Sequence, residues 1–172
     1  MCHVAVIMTG LEAFSHFRYE PPTKFKSLFF FFIFINIYFF QDSSHFYLFY
    51  GYANSAFDKN WQIKRVTSST GPVGTALSDA CRQTESVEGQ TEVLWITTNT
   101  TGWKYDTSYR FNILHLPDQG LIRLKLYEGA ALIHESGDII DNGPESLKGG
   151  RLGVYVDSQE KVRWSALSYR CA

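Results

Sequence analysis

Apolar and polar residues alternate with a period of two through most of the chain after residue 41. In residues 122–129, IRLKLYEG, Ile122, Leu124 and Leu126 take one face and Arg123, Lys125 and Tyr127 the other, the spacing of a half-buried strand. Glu128 and Gly129 close it. In residues 149–160, GGRLGVYVDSQE, Leu152, Val154 and Val156 alternate with Arg151, Tyr155 and Asp157 after a Gly149-Gly150 turn, again a strand with β-branched residues on one face. The same reasoning places strands at 44–52, 61–67, 91–97, 109–116, 131–135 and 162–169, separated by loops rich in Gly, Pro, Asp, Asn and Ser. No stretch beyond residue 41 reads as a helix. About eight short strands, each with one apolar and one wet face, predict an all-β fold, an antiparallel β-sandwich or jelly roll.

The first forty residues break this pattern. Residues 28–40, LFFFFIFINIYFF, form an apolar run of 13 residues interrupted by Asn36, and ten of the fourteen phenylalanines precede residue 41. A membrane helix needs roughly 20 apolar residues, so no membrane span is expected. A secretory signal should start near residue 1 and end in small residues, whereas this run ends Asn36-Ile-Tyr-Phe-Phe. A pyrimidine-rich stretch of message translates into Phe, Leu, Ile and Tyr, and a splice acceptor ending in CAG translates into Gln, the residue at position 41. Residues 1–40 are therefore expected to be a non-domain segment, gene-model or intron-derived, in which the residues from 23 or so to 40 translate a retained intron, with the sandwich at 41–172 lacking its N-terminal strands. A sandwich so shortened would expose an unpaired edge and an uncovered apolar face.

Charge gives no sign of a nucleic-acid partner. The chain carries 16 basic and 17 acidic residues. After residue 40 the counts are 16 − 3 = 13 and 17 − 2 = 15, with no basic cluster.

Catalytic chemistry is equally unsupported by the spacing. Glycoside hydrolysis needs two carboxyl groups facing each other across about 5 to 9.5 Å, and no strand here carries acidic residues at alternate positions with apolar flanks. Glu128 ends a strand, and Glu135 and Asp138 straddle a Gly turn, as solvated turn residues do. There is no G-x-S-x-G, and neither His115 nor His134 has a placed acid and nucleophile. His115 continues the Tyr109, Phe111, Ile113 face and is expected to be a partly buried core residue, whereas His134 is expected at the surface. Trp95 and Trp164 fall at core positions, as does Trp103 in its TGWK turn. With Trp61 they supply the aromatic faces that could otherwise stack on a sugar or anchor a partner.

Taken in order, QDSSHFYLFY (41–50), SSTGP (68–72), the Trp95 strand, TGWKYDTSYRF (101–111), GLIRLKLYEG (120–129), GGRLGVYVDSQE (149–160) and YRC (169–171) resemble the carboxyl-terminal domain of thrombospondins. The resemblance covers residues 41–171. It implies a concanavalin-like, lectin-like β-sandwich at the end of a secreted, extracellular, calcium-binding matrix glycoprotein that forms homo-oligomers through a region outside this sequence. It also implies a non-catalytic role in cell adhesion, with matrix proteins and cell-surface receptors as partners. A secreted glycan-binding or glycan-processing sandwich is the alternative. Many family members carry a Val-Val-Met tripeptide, proposed to engage a receptor, in the strands corresponding to 45–50 and 122–127. Here those positions read HFYLFY and IRLKLY, so receptor binding through that tripeptide is not expected.

Three sites follow. Asp138, Asp141 and Asn142 in SGDIIDNGP could supply hard oxygen ligands to Ca2+, although D-x-x-D-N is not an EF-hand loop and the family's main calcium load lies in repeats upstream. Cys171 matches the family's terminal cysteine, which implies a disulfide to a partner outside this chain. Cys81 reads as a small buried hydrophobe. Asn99-Thr100-Thr101 is a glycosylation sequon in a polar loop, accessible if the chain is secreted.

Overall fold

A computed structural model describes residues 2–9, 34–42, 44–52, 60–67, 90–98, 102–104, 106–157 and 163–171. These residues contain eleven strands and no helix: β1 (Cys2–Thr9), β2 (Phe34–Phe40), β3 (His45–Tyr52), β4 (Trp61–Thr67), β5 (Thr91–Ile96), β6 (Tyr109–Leu116), β7 (Leu121–Glu128), β8 (Ala131–Glu135), β9 (Ile139–Ile140), β10 (Arg151–Asp157) and β11 (Arg163–Cys171). One sheet runs β11-β1-β6-β7-β8, with the short β9 also paired to β7, and the other runs β10-β2-β3-β4-β5. Every pairing is antiparallel. The two sheets pack as an all-β sandwich, as the alternation predicts.

β6 and β7 show why the alternating segments fold this way. Cross-strand pairs Phe111↔Leu126, Ile113↔Leu124 and His115↔Ile122 all lie on one face, and each of these six residues is buried. The intervening residues Arg110, Asn112, Arg123 and Lys125 are half-buried on the outer face, where the Arg110 guanidinium sits 4.2 Å from the Tyr127 ring centroid. Pro117–Gly120 turns β6 into β7, and Gly129, at φ +58°, opens the two-residue turn into β8, the left-handed start that suits glycine in a tight hairpin.

Opposite this face, the second sheet contributes Tyr47, Phe49, Trp61 and Ile63 to a shared core that also takes in Trp103 and Leu147. Trp61 crosses the interface, with its ring centroid 5.9 Å from Tyr109 and 5.8 Å from Phe111. Its place is bought by a missing side chain: Gly51 pairs with Trp61 in register, and a Cβ built on Gly51 would lie 2.2 Å from a carbon of the indole. On β5 the register shifts opposite Ile63 and Lys64. Both Leu94 and Trp95 pack against the core there, because a bulge lets two successive residues face the same way.

Two expectations are corrected. β3 and β4 do not have a wet face: Phe46, Leu48 and Tyr50 are buried as completely as Tyr47 and Phe49, and Gln62, Lys64 and Val66 as completely as Trp61 and Ile63. FYLFY, residues 46–50, is hydrophobic without interruption, the composition of a strand covered on both sides. Its polar neighbours are internally engaged, Tyr50 donating to Gln62 Oε1 at 2.6 Å and the Lys64 ammonium lying 4.6 Å from the Tyr50 ring centroid. The second correction concerns strand number after residue 41, where the short β9 adds to the eight strands expected; β1 and β2 lie within residues 1–40. β1 is seated between β11 and β6, and β2 between β10 and β3.

Gly51→Ala should destabilise the chain by about 1–3 kcal/mol, because the added methyl must displace the Trp61 ring in a packed interface. Gly143, where an added Cβ meets nothing within 4 Å, is the control, and Gly143→Ala should change stability by less than about 0.5 kcal/mol. Urea-unfolding midpoints of the two variants decide this.

Candidate functional site

Polar contacts concentrate where β9 ends. The backbone there is fixed by the β6–β7 turn: Gly120 adopts φ +61°, and its carbonyl accepts the Asp141 N–H at 2.8 Å. A Cβ on Gly120 would lie 2.1 Å from the Asp141 carbonyl oxygen, so only glycine permits both the left-handed turn and this approach. Asp141 is thereby held inside the sandwich, 5% exposed.

Its carboxylate accepts the Tyr47 hydroxyl at 2.6 Å and the Arg65 guanidinium. The Tyr47 oxygen in turn accepts the Leu147 N–H at 3.1 Å, and Arg65 reaches on to Glu92 on β5. One carboxylate from the first sheet therefore ties β3 and β4 of the second to the segment after β9. Burial, followed by the hydrogen bond to Asp141, holds the Tyr47 phenol well above its ordinary range, so it stays a neutral donor. A charge so buried is tolerable because it is paired and hydrogen-bonded.

The three residues expected to offer oxygens to calcium are not drawn together. Asp138 is exposed and paired with Arg123 of β7, Asp141 points inward to Arg65 and Tyr47, and Asn142 is exposed. Two carboxylates directed at two different guanidinium groups do not fit one shared ion. Among the described residues, no group of three or more His, Cys, Asp or Glu side chains is placed to hold a metal. Asp138 sits in a solvated turn, as expected, whereas Asp141 is buried.

His115 is in the core, 5% exposed, with its ring edge-on to Tyr47 at 5.4 Å. Desolvation lowers its pKa to about 4, although the charge of Asp141 pulls the other way. His134, expected at the surface, is half-buried on β8 with its ring 6.4 Å from that of Trp61. Alternation opposite Leu126 could have placed it, because the pair shares a face.

The TGWK turn is anchored at both ends. Trp103 is fully buried. The Lys104 N–H donates to the Tyr109 hydroxyl at 2.8 Å, and its ammonium meets Glu128 at 2.9 and 3.0 Å. Burial raises the Tyr109 phenol to about 12, against the lowering effect of the Lys104 N–H.

Among the described residues, five carboxylates outside the Asp42–His45 turn are set against basic side chains. Glu92 and Asp141 face Arg65, Glu128 faces Lys104, Glu135 faces Lys125 and Asp138 faces Arg123. Trp61 and Trp103 are committed to the core, and Trp95 is half-buried against it. Asn99 and Cys81 lie outside the described residues, as do the side chains of Trp164 and Cys171.

Asp141→Ala should cost about 3–5 kcal/mol, because it strands Arg65 and Tyr47 in the interior. Asp138→Ala, breaking an exposed pair, should cost less than about 1 kcal/mol; equal losses in chemical denaturation would contradict this account of Asp141. His115 adds a pH dependence. Its folded pKa of about 4 lies below the ordinary 6.5, so the unfolded chain takes up the proton first. The contribution is complete above pH 6.5 and is lost as pH falls from 6.5 towards 4, by up to about 3 kcal/mol. His115→Gln should flatten the stability profile across that window.

Comparison with known proteins gives these features a family. The family model described as the thrombospondin C-terminal region matches residues 30–172. Thrombospondin-3 of Homo sapiens is 48% identical over 110 residues, covering 64% of this chain and 11% of that protein, and thrombospondin-3b of Danio rerio is 47% identical over the same shares. Cartilage oligomeric matrix protein of Bos taurus is 40% identical over 143 residues, covering 77% of this chain and 18% of that protein. The chain thus spans between about a tenth and a fifth of the length of these relatives. The chain belongs to the thrombospondin C-terminal family.

Proposed function

We propose that this chain is a non-catalytic extracellular matrix module that supports cell adhesion through contacts with matrix proteins and cell-surface receptors. The observation that carries this reading is the family match over residues 30–172, which takes in both sheets of the sandwich from β2 onwards. The way the polar residues are used supports the non-catalytic part. Glu92, Glu128, Glu135, Asp138 and Asp141 set against basic partners, and His115 and His134 beside aromatic rings, serve the fold, whereas a hydrolase would hold two carboxyl groups free across a cleft.

Secretion and homo-oligomeric assembly belong to the same proposal and concern the longer protein. Among the relatives, one bears the name cartilage oligomeric matrix protein. The calcium association is likewise assigned to the longer protein, because Asp138, Asp141 and Asn142 as arranged do not converge on an ion.

Coated surfaces carrying the purified chain should support saturable cell attachment. A glycan array and a panel of glycoside substrates should give no specific binding or turnover; saccharide turnover, or attachment no better than to an inert protein coat, sinks the adhesive reading. Calcium or its chelation should leave the melting temperature of the chain unchanged within about 1 °C, since a ligand that binds only the folded state at saturating concentration shifts it by several degrees.

A further inference from the structure

β1 and β11 place two of the three cysteines side by side. The antiparallel register sets Cys2 opposite Cys171, His3 opposite Arg170, Val4 opposite Tyr169 and Ala5 opposite Ser168, with the irregularity only beyond Ala5. Directly opposed residues in an antiparallel pair have Cα atoms about 4.5 or 5.5 Å apart. Both spacings fall within the roughly 4.4–6.8 Å that a disulfide spans.

The third strand, β6, extends the same row. Cys2 pairs with His115, Val4 with Ile113 and Val6 with Phe111, and those three partners are core residues at 5%, 2% and 1% exposure. Cys2 and Cys171 therefore occupy adjacent positions in one cross-strand row of the sheet, next to His115. We propose that they form a disulfide bond, which joins the edge strand β11 to β1 and links the two ends of the chain.

The proposal differs from what the family resemblance implies, a partner for Cys171 outside this chain. Such a partner would have to displace a cysteine already opposite Cys171 in register. The chemistry needs only a small-molecule disulfide as oxidant. The thiolate of one cysteine attacks it, forming a mixed disulfide and releasing one small thiol. The second cysteine's thiolate then attacks the protein sulfur of that mixed disulfide, closing the Cys2–Cys171 bond and releasing the second small thiol. The protein gives up two electrons and two protons, and both appear on the two small thiols. A bond closing a loop of nearly the whole chain removes much freedom from the unfolded state. It also secures the edge strand of the sheet, whose outer side has no strand partner among the described residues.

The test is to oxidise the reduced full chain with glutathione disulfide, unfold it in an alkylating reagent without reductant, and map the cysteines by mass spectrometry. The expected result is a monomer lighter by two hydrogens, one alkylated cysteine at position 81, and a proteolytic fragment joining the peptides of Cys2 and Cys171. Adding reductant before unfolding should expose all three thiols and lower the melting temperature by roughly 10 °C. Cys2→Ser should leave Cys171 open to alkylation and make the melting temperature insensitive to reductant. Three alkylated cysteines after oxidation, a bond involving Cys81, a persistent glutathione adduct on Cys171, or a dimer joined through Cys171 would each overturn the proposal. Thiol mapping on the unaltered chain decides the matter even if the variant fails to fold.

Discussion

A buried carboxylate cannot be left alone, and the joint between the two sheets depends on how Asp141 meets that demand. Removed from water, it requires a cation and hydrogen-bond donors close by, and it finds Arg65 on β4 and Tyr47 on β3. Those partners lie 76 and 94 positions earlier in the chain, so satisfying one charge fixes the approach of two sheets. Tyr47 extends the effect, since the oxygen that donates to Asp141 also receives the Leu147 N–H. The segment after β9 is thus tethered at 141 and 147. Hydrophobic area alone would hold the sheets together without setting their register; the directional bonds at Asp141 restrict which packing is acceptable.

β6, β7 and β8 are legible in the sequence because each has one face buried and one half-open, and a period of two records that difference. Their limits follow from Pro117–Gly120 and Gly129, which can be read locally as turns. β3 and β4 are legible as strands but their environment is not: the apolar run 46–50 carries no period, and β4 alternates Trp61 and Ile63 with Gln62 and Lys64, which reads as a wet face although both polar residues are buried. Trp95 gives a smaller instance: alternation assigns either it or Leu94 to the core, and the bulge on β5 admits both. Asp141 was legible only as a polar loop residue. SGDIIDNGP has the composition of a turn, and what carries Asp141 inward is the left-handed Gly120, with Tyr47 and Arg65, none of them near it in sequence.

The first forty residues show a different limit of composition as a guide. The phenylalanine-rich run is unusual for a folded domain, and its composition says nothing about pairing. In the structure Ile35, Ile37 and Phe39 stand opposite Gly51, Phe49 and Tyr47, while Asn36, the residue that interrupts the run, stands opposite Tyr50. CHVAVIMT likewise places Val4 and Val6 opposite Ile113 and Phe111. Both strands occupy interior positions of their sheets, so β11 reaches β6, and β10 reaches β3, only through them. Their contribution is to convert what would be two open edges into paired ones, the liability that a shortened sandwich would otherwise carry.

This asymmetry between the sheets bears on where a partner can touch the module. Phe46 to Tyr50 are buried without exception, so in the strand that carries the Val-Val-Met tripeptide in many family members these five side chains are enclosed, and His45 is left partly open. The equivalent stretch of β7 is built differently: Arg123, Lys125 and Tyr127 alternate with the core residues Ile122, Leu124 and Leu126 and remain partly open. Arg123 and Lys125 are paired with Asp138 and Glu135 along the β8–β9 edge, and exposed pairs of this kind are weak enough to exchange partners at little cost. The outer face of the β6–β7–β8 sheet thus leaves mixed charges around Tyr127 partly open, whereas the described side chains of β3 and β4 are largely enclosed.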